Sequence, residues 1–430
     1  MSWDFETDPA FQIELDWIDQ LSRNEVEPLD YILGDPYDKD DPVARQVIAP
    51  LQARVKERGL WAAHLGPELG GQGFGQLKLA LMNEILGRSR FGPSVFGCQA
   101  PDSGNAEILA HFGSEEQKEK YLQPLLDGEI SSCYSMTEPQ AGADPTLFTT
   151  QGRRDGDDWV ISGEKWFSSN ATVAAFLIVM AVTDPDAEPH RRMSMFIVPA
   201  GVEGLEVVRD VHVAGEHHSA HAYLRYRDVR VSCDHLLGAE GAAFAIAQTR
   251  LGGGRIHHAM RTIAQVKRAF DLMCERAVSR ELRGGPLGSA GVVQNQIADS
   301  WIQMEQFRLL VLRTAWKIDR YQDYKQVRQD IAAVKVAMPR VLHDVVQRAM
   351  HLHGALGVSD EMPFTDMLIA SEVMSVVDGP TEVHQTTVAK QVLRGYEPAP
   401  DLFPSGHLPR LRAAAQQQYT EALERAAGDV

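Results

Sequence analysis

Apolar residues fall at helical spacing over two long stretches of the chain and at strand spacing between them. Near the N-terminus, Phe11, Leu15, Ile18 and Leu21 share one helical face, behind Asp8 as N-cap and Pro9 at the first helical position. Ser114-Glu-Glu-Gln117 has the form of a capping box and opens a helix that carries Tyr121, Leu122, Leu125 and Leu126. From about residue 131 the pattern changes to short runs rich in β-branched and aromatic residues. They are Trp159–Ile161, Phe176–Val182, Met195–Val198, Leu205–Val208 and Ala222–Tyr226, and turn-formers such as Arg154-Asp-Gly156 and Thr183-Asp-Pro185 separate them. Long helical patterns return at Ile256–Ser279, Val292–Tyr321, Gln326–His353 and Thr381–Leu393. The expected fold is α+β and multidomain. An N-terminal helical bundle covers 1–130, a small β-barrel or sandwich 131–237, an antiparallel four-helix bundle 238–396, and a proline-punctuated tail 397–430.

Composition narrows the function classes. The 430 residues are 44% hydrophobic and 23% charged, the balance of a soluble globular chain. The 42 basic and 59 acidic residues leave a net charge of −17, which argues against nucleic acid or an anionic membrane as the main partner. Cys98, Cys133, Cys233 and Cys274 form no C-x-x-C pair and no disulfide framework, so they are expected to be small buried hydrophobes in a reducing compartment. The acidic start MSWDFETDPAFQIELDW lacks the form of a signal peptide, and Ala171–Val182 is too short to span a bilayer, so a cytoplasmic location is expected. His217, His218 and His221, with His257 and His258 elsewhere, lack the spacing of a metal site, and no metal is expected.

Several segments carry candidate chemistry beside a purely structural reading. Cys133–Asp144 (CYSMTEPQAGAD) suits a loop whose backbone approaches a ring system or phosphates, or a domain-junction turn. Trp166-Phe167-Ser168 offers a stacking surface, or an ordinary half-buried strand tryptophan. Leu251-Gly-Gly-Gly-Arg255 reads as the opening of a long helix, with Arg255 in its first turn awaiting an external anion or polarised carbonyl. Arg280–Gly288 (RELRGGPLG) is a basic break between two helices that could grip a pyrophosphate. HLHGALG (351–357) ends one helix. DGPTEVH (378–384) starts another, with Asp378 or Gly379 as N-cap, Pro380 at the first position and Glu382 in the first turn. After Val373, Val376 and Val377, Asp378 reads as a carboxylate in an apolar pocket, usable as a base.

Taken in order, these segments resemble the acyl-CoA dehydrogenase family from about residue 10 to 396. The landmarks are Pro67-Glu-Leu-Gly-Gly71, residues 113–129, Tyr134–Asp144, Trp166–Ser168, GGGRI (252–256), Arg280–Leu287, HGALG (353–357) and DGPTEVH. The branch most resembled is the one with an aspartate base (members ten and eleven). The resemblance implies FAD as cofactor, with Tyr134, Met136, Thr137, Gly142 and Ala143 along the ring system and pyrophosphate, and Trp166, Phe167 and Ser168 closing on the ring. It further implies that Arg280, His351 and Gly354 hold the adenosine diphosphate across the interface of a homodimer or homotetramer, and that Pro380 and Glu382 touch the cofactor again. Ala143, Gly252, Arg255 and Gly379 would line the acyl-CoA site.

The implied reaction is α,β-dehydrogenation of an acyl-CoA thioester to the trans-2-enoyl-CoA, a step of fatty-acid β-oxidation. Asp378 would take the α-proton, its own N–H and a flavin ribityl hydroxyl would hold the thioester carbonyl, and the β-hydrogen would leave as hydride to flavin N5. An electron-transfer flavoprotein would be the acceptor. Aspartate at 378, in place of the commoner glutamate, draws the carboxylate back by about 1.5 Å, and Gly254 offers no alternative carboxylate. Ala143 replaces a serine, Arg283 a phenylalanine and His351 a glutamine of the family pattern. Two other readings share the scaffold: a flavin-dependent oxidase of a small carbon acid such as a nitroalkane, and a catalytically silent flavin-binding subunit.

Overall fold

A computed structural model describes residues 5–34, 36, 41–67, 71–214 and 221–428. The Glu68–Gly70 part of the expected Pro67–Gly71 landmark lies outside them, as do His217 and His218. Two compact units divide the chain, residues 1–385 and 386–430.

The first unit begins with helices α1 (Pro9–Leu21), α2 (Pro42–Glu57), α3 (Gly75–Leu86), α4 (Gly92–Val95) and α5 (Asp102–Phe112). In α1, Asp8 accepts from the Phe11 N–H, and Phe11, Leu15, Ile18 and Leu21 are buried, as the spacing predicts. The Ser114 capping box forms reciprocally with Gln117 at the start of α6 (Glu115–Gln117), and the irregular helical stretch runs on to α7 (Gln123–Leu126). A shared core continues from these helices into the β region and the later helices.

Strands β1 (Ser132–Ser135), β2 (Gln151–Asp155), β3 (Asp158–Ser169), β4 (Phe176–Val182), β5 (Met193–Pro199), β6 (Leu205–Val211), β7 (His221–Ser232) and β8 (Leu236–Leu237) form one sheet, ordered β6-β7-β3-β1-β4-β5-β8. Both β1 and β2 pair with β3 and with β4, lying end to end in one slot: β2 beside Asp158–Ser162 and β1 beside Ser169 of β3. Among the described residues this is a single sheet with edges at β6 and β8, and Trp159, Ile161, Leu177, Val179, Phe196, Leu224 and Val229 from both of its halves share one core. Paired residues of β3 and β7 shift register between Lys165 and Ser168, a bulge that sets Trp166 and Phe167 apart from the ladder.

Helix α8 (Ala243–Ser279) spans 37 residues, about 55 Å. A short β9–β10 hairpin (Glu281–Leu282, Gly285–Pro286) links it to α9 (Gly291–Tyr321). Then follow α10 (Arg328–His353), α11 (Phe364–Val376) and α12 (Thr381–Leu393). Val266, Met273, Met304, Leu342, Val346 and Phe364 fill the core between these helices.

The structure corrects two local expectations. The Gly252–Gly254 run does not open a helix: α8 starts nine residues earlier, at Ala243, and carries the glycines in its interior. Arg255 is therefore well inside the helix, and the first-turn dipole argument does not apply to it. At the start of α12, Pro380 occupies the cap, since its carbonyl accepts from the Val383 and His384 N–H groups. The expected N-cap at Asp378 or Gly379 is thus displaced by one residue or two. The second unit contains the rest of α12, α13 (Leu408–Gln418) and α14 (Thr420–Gly428), with an Arg410–Asp401 ion pair and Phe403 stacked on His407.

Candidate functional site

The link between α11 and α12 is short and conformationally costly. After Val376 the chain becomes extended at Val377, and then Asp378 adopts φ +55° and Gly379 φ +104°. An aspartate in the left-handed region is strained unless its surroundings hold it there. Here they do. Arg255 Nε donates to the Asp378 carbonyl at 2.9 Å, and His384 Nε2 lies 3.3 Å from the same oxygen.

The Asp378 side chain, 11% exposed, turns toward α8. A β-carbon at Gly254 would stand 3.0 Å from its Oδ2. The carboxylate thus occupies space that only glycine leaves open. His258, one turn further along α8, has its Nε2 3.8 Å from Oδ2, too far for a hydrogen bond. Burial pushes the His258 imidazole down to about 4, and Arg261 adds to this against the pull of Asp378. Burial also takes His384 to about 4 and lowers Arg255 from its ordinary value. Both histidines are therefore neutral near pH 7, and the cations that act on Asp378 include Arg255 and Lys335 on α10. The expected apolar pocket is not what surrounds the carboxylate. Val376 is 63% exposed, and the neighbours of Asp378 are a glycine and basic side chains.

The other two glycines meet a polar pair. Positions for β-carbons at Gly252 and Gly253 are filled by the Tyr324 ring and by Glu107 Oε2, and Tyr324 donates to Glu107 at 3.1 Å. Burial raises Glu107 to about 7 despite that hydrogen bond.

Across from this face, the Tyr134 hydroxyl is buried with no hydrogen-bond partner, and the Arg250 guanidinium lies 3.8 Å over the Tyr134 ring. Arg250 Nε in turn donates to Asn105 at 2.9 Å. The N–H groups of Met136 and Thr137 donate to no described residue. Their carbonyls are engaged by Lys165 Nζ and the Trp166 N–H, which ties the end of β1 to the β3 bulge. At that bulge Phe167 has φ +48° and is 42% exposed, edge-on to Trp166. An ion pair between Lys165 and Glu138, with both side chains fully buried, anchors the segment. Against its burial, Lys165 and the Thr149 and Thr150 N–H groups hold Glu138 down to about 2.

Three family models match in order: the N-terminal domain of acyl-CoA dehydrogenase over 19–129, its middle domain over 133–229 and its C-terminal domain over 241–393. The chain belongs to the acyl-CoA dehydrogenase family. Acyl-CoA dehydrogenases are oxidoreductases that bind FAD. The chain is 41% identical to the probable acyl-CoA dehydrogenase FadE2 of Mycobacterium tuberculosis, over 91% of this chain and 93% of that one. It is 39% identical to acyl-CoA dehydrogenase family member 11 of Gallus gallus over 87% of this chain, and it spans about half (49%) of that longer protein. Butyryl-CoA dehydrogenase from Megasphaera elsdenii superposes with a TM-score of 0.79 at 26% identity, covering 91% of this chain and all of that one.

Set on the acyl-CoA dehydrogenase framework, the sequence-predicted residues fall into three places. Asp378, Gly379, Arg255 and Gly254 meet at one point, whereas Gly252 and Gly253 face Tyr324 and Glu107. Tyr134, Met136, Thr137, Trp166 and Phe167 form the adjoining end of the sheet, and Gly142 and Ala143 lie on an exposed loop nearby in sequence. The Ser168 hydroxyl departs from expectation: it is buried and engages Ser135 at 3.2 Å, so it faces the interior rather than Phe167's open side. Arg280, His351 and Gly354 are exposed and are not gathered at Asp378. Arg280 caps α8 about 38 Å along that helix from Arg255. Pro380 and exposed Glu382 follow Asp378 directly. Among the described residues, no cluster of histidine, cysteine or acidic side chains could hold a metal, and no helix is long and apolar enough to cross a membrane. Within the expected histidine group, His221 Nδ1 instead meets Ser169 Oγ at 2.9 Å, and His257 meets Gln76.

Four contributors were absent from the sequence reading: Glu107, Arg250, Tyr324 and Lys335. Lys335 alone carried a signal, a lone lysine among apolar residues in the helix Gln326–His353.

Proposed function

We propose that this chain catalyses the FAD-dependent α,β-dehydrogenation of an acyl-CoA thioester, with Asp378 as the base. The observation that carries the reading is the strained Asp378, clamped through its carbonyl by Arg255 and His384 while its carboxylate fits against Gly254. Strain held in place by surrounding donors is characteristic of functional positions.

The residues present fit the cofactor. A buried, unpartnered Tyr134 hydroxyl, free Met136 and Thr137 N–H groups and an exposed Phe167 beside Trp166 offer hydrogen-bonding and stacking atoms to a flat heterocycle. FAD, when bound, supplies the acceptor for the β-hydrogen as hydride. The chain's own residues do the rest. Asp378 receives the α-proton, and the electron pair of that C–H bond moves toward the thioester carbonyl. No described residue accepts from the Asp378 N–H, which leaves it free to bind that carbonyl oxygen. Arg255 and His384 keep the carboxylate aimed by fixing its backbone. Tyr324 and Glu107, against Gly252 and Gly253, close the α8 side of the acyl site with polar atoms.

Arg280, His351 and Gly354 are assigned to the cofactor's adenosine diphosphate in a partner subunit of a homodimer or homotetramer. Their exposure at a distance from Asp378 supports this. An electron-transfer flavoprotein is the proposed acceptor.

The test is an anaerobic absorbance scan of the flavin-loaded protein with a panel of saturated acyl-CoAs. Bleaching of the flavin band by one class is expected. Flavin that stays oxidised with every thioester, or that is rapidly reoxidised by oxygen while a nitroalkane is consumed, would overturn the dehydrogenase reading.

A further inference from the structure

A lysine with no exposed surface requires an account. Lys335 lies in the middle of α10, is fully buried, and donates through Nζ to the carbonyl of Met374. Met374 belongs to the last turn of α11, where helix carbonyls have no partner within the helix. Four residues later the chain reaches Asp378. Lys335 makes no ion pair at hydrogen-bonding distance among the described residues, although an ammonium taken out of water costs several kcal/mol unless a negative charge compensates it. The carboxylate that acts on it is that of Asp378, which opposes the lowering by burial, while Arg255 adds to that lowering.

The charges around this point come from several elements. Arg250, Arg255 and His258 face it from α8, Arg328 and Lys335 belong to α10, His384 to α12 and Tyr134 to β1. His258 and His384 are neutral near pH 7. Tyr134, raised to about 12 by burial, stays protonated. Among the cations that remain, Lys335, which burial lowers to about 8, also donates to the helix end that presents the aspartate.

We propose that Lys335 is a positioning residue for the base: by donating to the Met374 carbonyl it anchors the end of α11 that delivers Asp378. This rests on the reading of Asp378 as the base. Lys335→Gln keeps a donor for the Met374 carbonyl on a side chain one atom shorter, whereas Lys335→Met removes the donor.

The experiment is the rate of anaerobic flavin reduction by a substrate acyl-CoA in wild type, Lys335→Gln and Lys335→Met, with amide hydrogen exchange across residues 374–380 as a second readout. Lys335→Met should reduce flavin roughly 10-fold more slowly, as expected for a sub-ångström displacement of the base, and Lys335→Gln should fall between it and wild type. Exchange should accelerate in Lys335→Met and less so in Lys335→Gln. A wild-type rate in Lys335→Met overturns the proposal, and so does unchanged exchange in it. If Lys335→Met fails to fold, Lys335→Gln decides, and wild-type rate and exchange in it overturn the proposal. Asp378→Asn run alongside keeps the two readings apart. Undiminished flavin reduction in it removes the base assignment itself, while a dead Asp378→Asn with undisturbed lysine variants removes only the role of Lys335.

Discussion

Gly254→Ala should make the protein more stable and the enzyme slower. Gly254 lies inside α8 with ordinary helical geometry, so alanine there gains about 0.5–1 kcal/mol by reducing the freedom of the unfolded chain. The added methyl group, however, stands 3.0 Å from Asp378 Oδ2, some tenths of an ångström inside ordinary contact. The carboxylate must give, because its carbonyl is held by Arg255 and its backbone is already in the left-handed region. A displacement of about 1 Å at reacting atoms can cost about 100-fold, so a shift of a few tenths should lower the rate of flavin reduction by roughly 3- to 10-fold. Thermal melting and stopped-flow reduction with one substrate read both effects on the same preparation. Undiminished reduction would refute the claim that Asp378 works from this pocket. A fall in stability would refute the claim that the pocket yields by moving the carboxylate.

Further consequences concern the groups that support the site. Lys165→Met should destabilise by about 3–5 kcal/mol by leaving Glu138 buried and unpaired, and Lys165→Met combined with Glu138→Gln should recover much of the loss in melting experiments. Glu107, raised to about 7 in the folded state, binds a proton there that the unfolded chain has already released above about 4.5. Its contribution to stability is therefore lost as pH rises from about 4.5 to 7. Glu107→Gln should remove that part of the pH dependence, and equal slopes for the two proteins in that range would refute the assignment.

Much of the fold was legible because local chemistry and tertiary structure agree. Asp8-Pro9, the Ser114 capping box, the run Phe176–Val182 and the helices expected at Val292–Tyr321 and Gln326–His353 all appear where their residues predict. The glycine run misled for a physical reason. Three glycines weaken an isolated helix, yet here the helix persists because Tyr324, Glu107 and Asp378 fill the space the absent side chains leave. Helix α11 escaped notice because its apolar residues are spread around its circumference rather than along one face. The candidate base was readable as a carboxylate after a valine-rich stretch, but its surroundings were not. Arg255 lies 123 residues from Asp378 in sequence, and Lys335 reaches Met374 across 39, separations that no local pattern encodes.

The most direct test of the account is anaerobic flavin reduction in Asp378→Asn, with flavin content and melting temperature checked against wild type. The substitution keeps the side-chain size beside Gly254 and leaves the carbonyl that Arg255 and His384 hold, so folding and cofactor loading should survive. The account predicts that an acyl-CoA which bleaches the wild-type flavin leaves the flavin of the variant oxidised. Bleaching at the wild-type rate would contradict it.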